Sequence, residues 1–131
     1  MVYCLKAIDV SAFPPQGITQ LIREIKVQSF TNHPNIVNLY QFFVAPPVVY
    51  LLLEPCLGST LFQDMRNQSR FNEKKARKQL QEVTKAIEYL HKLDIIHRDI
   101  KPENILLHEV LMVRGRTLRS CVTSGGQSTP P

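Results

Sequence analysis

Residues 96–107 read Ile-His-Arg-Asp-Ile-Lys-Pro-Glu-Asn-Ile-Leu-Leu. Asp99, Lys101 and Asn104 thus fall within one short polar turn between apolar segments. Chemically the turn offers a proton acceptor in Asp99, a cation for a phosphate in Lys101 and a side-chain oxygen for a metal in Asn104. A solvated loop could hold the same residue types by chance. The order of the whole string is what makes it informative, and it constrains the chain more than any other segment.

The organisation on either side of that turn is uneven. Val2–Val10 reads as a strand carrying one lysine, and Pro14, Pro15 and Gly17 then break the chain. From Ile18 the apolar positions Ile18, Leu21, Ile22 and Ile25 follow helical spacing. His33-Pro34-Asn35 ends that helix. Two strand-like runs follow, Ile36–Val44 and Val48–Leu53, joined by a hairpin-type turn at Ala45-Pro46-Pro47. Glu54-Pro55-Cys56-Leu57-Gly58 reads as a short extended linker, and beyond it the chain turns helical. Ser59 or Thr60 is a candidate cap for a short helix through about Asn67. The clearest helix is Asn72 to about Lys92, with Ala76, Leu80, Val83, Ile87 and Leu90 on one face. Asn72 suits its N-cap, Glu73 its first turn, and Phe71 a staple onto Ala76. Strands before the linker and helices after it predict an α+β, two-lobed fold.

Composition excludes several classes. The longest apolar run, Val44–Leu53, is short and broken by Pro46 and Pro47, so no membrane span is predicted. Cys4, Cys56 and Cys121 suggest neither a disulfide framework nor a zinc site, which predicts an intracellular chain, cytoplasmic or nuclear. Of the net charge of +5, three units come from Arg114, Arg116 and Arg119 in a stretch without acids. Lys74, Lys75, Arg77 and Lys78 form a second basic cluster. They lack interleaved aromatics and read as a solvated helix face rather than a nucleic-acid site.

His97-Arg98-Asp99-x-Lys101-x-x-Asn104 resembles the catalytic-loop signature of protein kinases. The resemblance runs over about residues 2–107. Lys6, in Tyr3-Cys4-Leu5-Lys6, is similar to the N-lobe strand lysine that binds the α- and β-phosphates. Glu24 is similar to the helix-C glutamate that pairs with it. Read singly, Lys6 is a solvated edge charge and Glu24 a surface carboxylate; their spacing together with the later loop points to functional placement. Glu54-Pro55-Cys56 resembles the hinge. The run His33–Tyr40 and Gln28 resemble Aurora-type serine/threonine kinases.

That resemblance implies a set of roles. Asp99 would orient the substrate hydroxyl and accept its proton, and Lys101 would neutralise charge on the transferring phosphoryl group. Asn104 would hold one Mg²⁺ and steady Asp99. The Glu54 carbonyl and both backbone groups of Cys56 would bind the adenine edge of ATP, with Leu53 as gatekeeper and Leu106 below the ring. Cys4 stands where Ala usually lines the adenine site. Glu103 would read a basic residue upstream of a Ser/Thr acceptor in a protein substrate. His97 would be a packed structural residue rather than a base. The family also implies kinase regulators as partners and an association with the cytoskeleton.

Two family features are missing from the sequence. Its five glycines, at 17, 58, 115, 125 and 126, nowhere form G-x-G-x-x-G. The metal-binding Asp-Phe-Gly is expected near residue 117, where Arg116-Thr117-Leu118 stands, and Asp99 is the last aspartate. The reading is a kinase domain truncated at both ends. Residues 1–109 form the partial domain: residues 1–53 belong to the N-lobe, 54–58 to the hinge and 59–109 to the C-lobe. Residues 110–131 form a divergent tail without regular structure from about 114. The alternative is a non-catalytic interaction fragment with an exposed helix face.

Overall fold

The computed structural model describes residues 2–68, 72–112 and 115–122. Among them the order is β1 (Cys4–Asp9), α1 (Pro15–Phe30), β2 (Leu39–Ala45), β3 (Val48–Leu53), α2 (Leu61–Asn67), α3 (Glu73–Lys92), β4 (Ile105–Met112) and β5 (Gly115–Val122). A 3-10 turn, Pro102–Asn104, precedes β4. The architecture is α+β, as predicted.

β1, β3 and β2 form an antiparallel sheet in that order, with β3 central. Directly opposed residues share a face, so Cys4, Lys6 and Ile8 lie on the same side as Leu53, Leu51 and Val49. α1, entered through Pro15 at its first turn, covers that side. Leu21 and Ile25 pack with Val49 and Leu51, and Ile8, Phe13, Leu39 and Leu53 close the margin. Ile18 and Ile22, expected on the same stripe, are exposed. The buried stripe is Leu21, Ile25 and Gln28, and a three-stranded sheet covers only that narrow face.

A second core holds Ile36, Val83, Ala86, Leu90 and Ile105, with Leu61, Ile87, Tyr89 and Ile95 packed against it. The helices around it start as the sequence indicates. The Thr60 side chain and Gln63 form a reciprocal capping box on α2. The Asn72 side chain accepts hydrogen bonds from the Lys74 and Lys75 amides at the head of α3. Phe71 lies outside the described residues. Lys75 Nζ meets Asp64 Oδ2 at 2.6 Å and ties α3 to α2.

The buried face of α3 differs from the expected one. Gln79, Val83, Ala86 and Leu90 are buried, whereas Leu80 is 66% exposed. Val83 and Leu90 belong to both stripes, so the real face is the expected one rotated about the helix axis by a fraction of a turn. Leu80 lines an open groove of about 720 Å³ with Glu73, Ala76, Arg77, Gln81, Thr84 and Lys85. The same rotation carries Gln79 inward, and its Nε2 has no hydrogen-bond partner among the described residues.

The chain after Leu107 also departs from expectation. β4 continues to Met112, and β5 pairs with it antiparallel from Ile105↔Val122 to Met112↔Gly115. Residues 115–122 therefore form a strand where none was expected, and β5 lies against α3. Backbone pairing in a tight hairpin requires no amphipathic period, so the hydropathy pattern does not reveal it. Residues 123–131 of the expected tail lie outside the described residues.

Candidate active site

The turn at 97–104 is fixed at both ends by backbone. Upstream, α3 ends as Asp94 enters the left-handed region (φ 57°), and the Ile95 N–H donates to the Leu90 carbonyl at 3.0 Å. Downstream, the Leu107 N–H donates to the Ser59 carbonyl at 2.9 Å, and Leu106 bridges Thr60. The strand leaving the turn is thereby tied to the chain entering α2.

Within the turn the three predicted catalytic residues come together. Asn104 Nδ2 donates to the Asp99 carbonyl at 2.9 Å and to Asp99 Oδ2 at 2.8 Å. Lys101 Nζ lies 3.3 Å from the same carboxylate oxygen. The Asp99 N–H donates to His97 Nδ1 at 3.2 Å, so His97 acts as an acceptor within the turn. Arg98 between them has φ 66°, a left-handed conformation that costs a non-glycine residue about 1 kcal/mol. That backbone reversal brings Asp99 back towards Asn104. Both side-chain contacts to the carboxylate fall on Oδ2.

The other predicted residues are distributed around the sheet and hinge. Leu53 sits at the end of β3, opposite Cys4 on β1 and Leu39 on β2. The Glu54 N–H donates to the Asn38 carbonyl at 2.9 Å. Cys56 is half-buried and in no disulfide among the described residues. Leu106 is half-buried beside Thr60, and Glu103 is exposed in the 3-10 turn.

Lys6 and Glu24 are not brought together: no ion pair joins them among the described residues. Lys6 is exposed on edge strand β1, although it shares the sheet face that α1 covers. Glu24 accepts a hydrogen bond from Gln20 Nε2 at 3.2 Å and lines a cleft of about 1090 Å³. Arg23, Val27, His97, Arg98 and Asp99 line it too. The structure thus sets Glu24 and Asp99 on one cleft between α1 and the 97–104 turn, with Lys6 outside its lining.

A profile of the protein kinase domain matches residues 1–114. The chain belongs to the protein kinase family. Its curated relatives include Aurora kinases. Aurora/IPL1-related protein kinase 2 of Caenorhabditis briggsae is 44% identical over 88 residues, which cover 67% of this chain and 29% of that protein. Aurora kinase B of Xenopus tropicalis is 36% identical over 107 residues, 81% of this chain and 30% of the relative. For Aurora kinase B of Danio rerio the figures are 37% over 108 residues, 82% and 34%. The chain spans about a third of the length of the curated relatives it matches.

Protein kinases use ATP and Mg²⁺ in general, and the donors in this kinase turn meet the metal's needs only in part. Mg²⁺ takes one or two carboxylates together with phosphate oxygens and water. Asn104 Nδ2 is engaged by Asp99, so the atom of Asn104 able to meet a metal would be its side-chain oxygen. Among the described residues no group of three or more His, Cys, Asp or Glu side chains could hold a metal. Asp99 and Asn104 by themselves would supply only part of such a Mg²⁺ site. No described helix is long and apolar enough to cross a membrane.

Two further contacts in this kinase chain carry no signature in the sequence. Asn38 binds the Glu54 carboxylate through its own N–H and through Nδ2, both at 3.2 Å. Tyr89 receives the Asn32 N–H on its hydroxyl at 3.0 Å. Each joins residues far apart in sequence, and neither belongs to a hydrophobic period.

Proposed function

We propose that this chain carries the proton-accepting and nucleotide-facing elements of an ATP-dependent serine/threonine protein kinase. The observation that carries the reading is the Asp99–Asn104–Lys101 arrangement. Asn104 and Lys101 occupy Oδ2 of Asp99, so Oδ1 is left to orient a Ser or Thr hydroxyl and take its proton. Lys101, next to that carboxylate, offsets charge on the phosphoryl group as it moves. Glu54, Cys56, Leu53 and Leu106 border the adenine, and Lys6 meets the phosphates once nucleotide draws it from the solvent edge. Mg²⁺, when bound through Asn104 and the nucleotide phosphates, supplies charge neutralisation. Exposed Glu103 reads a basic residue upstream of the acceptor in a protein substrate. The setting is intracellular.

The test is transfer of labelled γ-phosphate from ATP to Ser/Thr peptides carrying upstream arginine. The expected result is transfer by the chain and loss of about 100-fold or more in Asp99→Asn. Equal transfer by chain and variant overturns the reading.

A second reading, a non-catalytic interaction fragment that docks onto a kinase or a kinase regulator, is favoured by one observation: no ion pair joins Lys6 and Glu24 among the described residues. ATP binding without transfer, together with capture of a kinase or regulator by the chain, would support it.

A further inference from the structure

The segment before β2 and the first hinge residue hold each other by three hydrogen bonds. The Glu54 N–H donates to the Asn38 carbonyl at 2.9 Å. The Asn38 N–H and Asn38 Nδ2 both donate to Glu54 Oε2 at 3.2 Å. Glu54 is therefore fixed through its backbone and through its side chain by one residue sixteen positions earlier. Pro55 follows. It has no N–H with which to extend the pairing, and it confines the residue before it to extended backbone. The Glu54 carbonyl accepts no hydrogen bond among the described residues, so its direction is set while its lone pairs stay available.

We propose that Asn38 is a positioning residue for nucleotide recognition. By clamping the Glu54 amide and carboxylate, it aims the Glu54 carbonyl at the exocyclic amine of adenine. The inference rests on the kinase reading, in which that carbonyl faces the adenine edge. A carbonyl aimed at an amine donor distinguishes adenine from hypoxanthine, which carries an oxygen at that position and would leave two acceptors facing each other. Asn38 touches no nucleotide; it acts through Glu54.

The experiment is calorimetric titration of the 131-residue chain with ATP and with inosine triphosphate. Asn38→Leu removes the Nδ2 donor at similar volume, and Asn38→Ser shortens it beyond reach. Folding of each variant is checked by circular dichroism. The expected result is a preference for ATP in the parent chain, falling by about tenfold in both variants. Affinity for inorganic tripolyphosphate, which has no base to read, stays unchanged. A merely structural role for Asn38 would weaken all three ligands together. An unchanged ATP-to-inosine ratio in the folded variants overturns the proposal, as does a parent chain that binds both nucleotides equally. Binding of neither nucleotide by the parent chain overturns the kinase reading itself.

Discussion

Asp99, Lys101 and Asn104 could be picked out from the sequence because their types and order are chemically specific, and the structure brings all three onto one carboxylate. How they meet was not legible. The reversal depends on Arg98 at φ 66°, and nothing in an arginine announces a left-handed backbone. Its side chain is exposed, so the conformation can be tested apart from packing. Glycine adopts positive φ freely, whereas a β-branched residue resists it most. Arg98→Gly is expected to raise stability by about 0.5–1 kcal/mol, and Arg98→Val to lower it by about 1–2 kcal/mol, read from urea midpoints. Equal effects would mean that the turn does not depend on this residue's backbone. Lys6 and Glu24 show the converse limit. Their spacing suggests a pair, but spacing does not specify side-chain direction, and the two charges face different surroundings.

At the scale of elements, ends were easier to read than faces. Asn72 caps α3 as its residue type predicts, and Asn72→Ala is expected to cost about 1 kcal/mol in thermal or denaturant unfolding. The apolar stripe of α3 was placed a fraction of a turn away from its true position. Ala76, Leu80 and Ile87 offered a run as regular as the real one, and Gln79 counted as polar although it is buried. Periodicity gives the amplitude of an amphipathic helix more securely than its phase when a second stripe competes. Two substitutions separate the stripes. Leu90→Ala opens a cavity between Ile36, Val83 and Ile105 and is expected to cost about 2–4 kcal/mol. Leu80→Ser, on an exposed site, is expected to stay within about 0.5 kcal/mol. A larger loss at Leu80 would show that its groove is covered in solution. The β4–β5 hairpin was illegible for a different reason. Its pairing is carried by backbone hydrogen bonds, and a sequence of mixed Thr, Arg, Ser and Leu leaves that ladder unmarked.

Over the whole molecule, two cores are joined chiefly through residues 31–38. Ile36 belongs to the helical core, while Gln28 of α1 donates from Nε2 to the Val37 carbonyl at 2.9 Å. His33 anchors the same segment to α3. Its ring lies tilted against Tyr89 at a centroid distance of 5.1 Å, and its Nδ1 accepts the Asn35 N–H at 3.0 Å. A two-lobed organisation was readable from the order of strands and helices, but the residues that join the lobes sit in a loop with no period. The joint also carries a titratable group. Desolvation, then the nearby Lys85 charge, holds the His33 imidazole below its ordinary value of 6.5. Protonation would in addition put a hydrogen on Nδ1, where the Asn35 amide now points. The folded chain therefore binds this proton at lower pH than the unfolded chain does. The stability that follows is complete above about pH 6.5 and is lost as pH falls through the lower folded value. Asp9 and Glu88 are also held below their ordinary values, 3.8 and 4.5, by hydrogen bonds from Ser11 and Lys92. Their contributions disappear only at more acid pH, below the window from about 6.5 down to 5 in which His33 acts. Urea midpoints measured across that window are expected to fall in the parent chain. In His33→Phe, which keeps a ring against Tyr89 but cannot take up a proton, they are expected to fall less. A fall of the same size in the variant would place the titrating group elsewhere, and the joint between the two cores would then be insensitive to pH at His33.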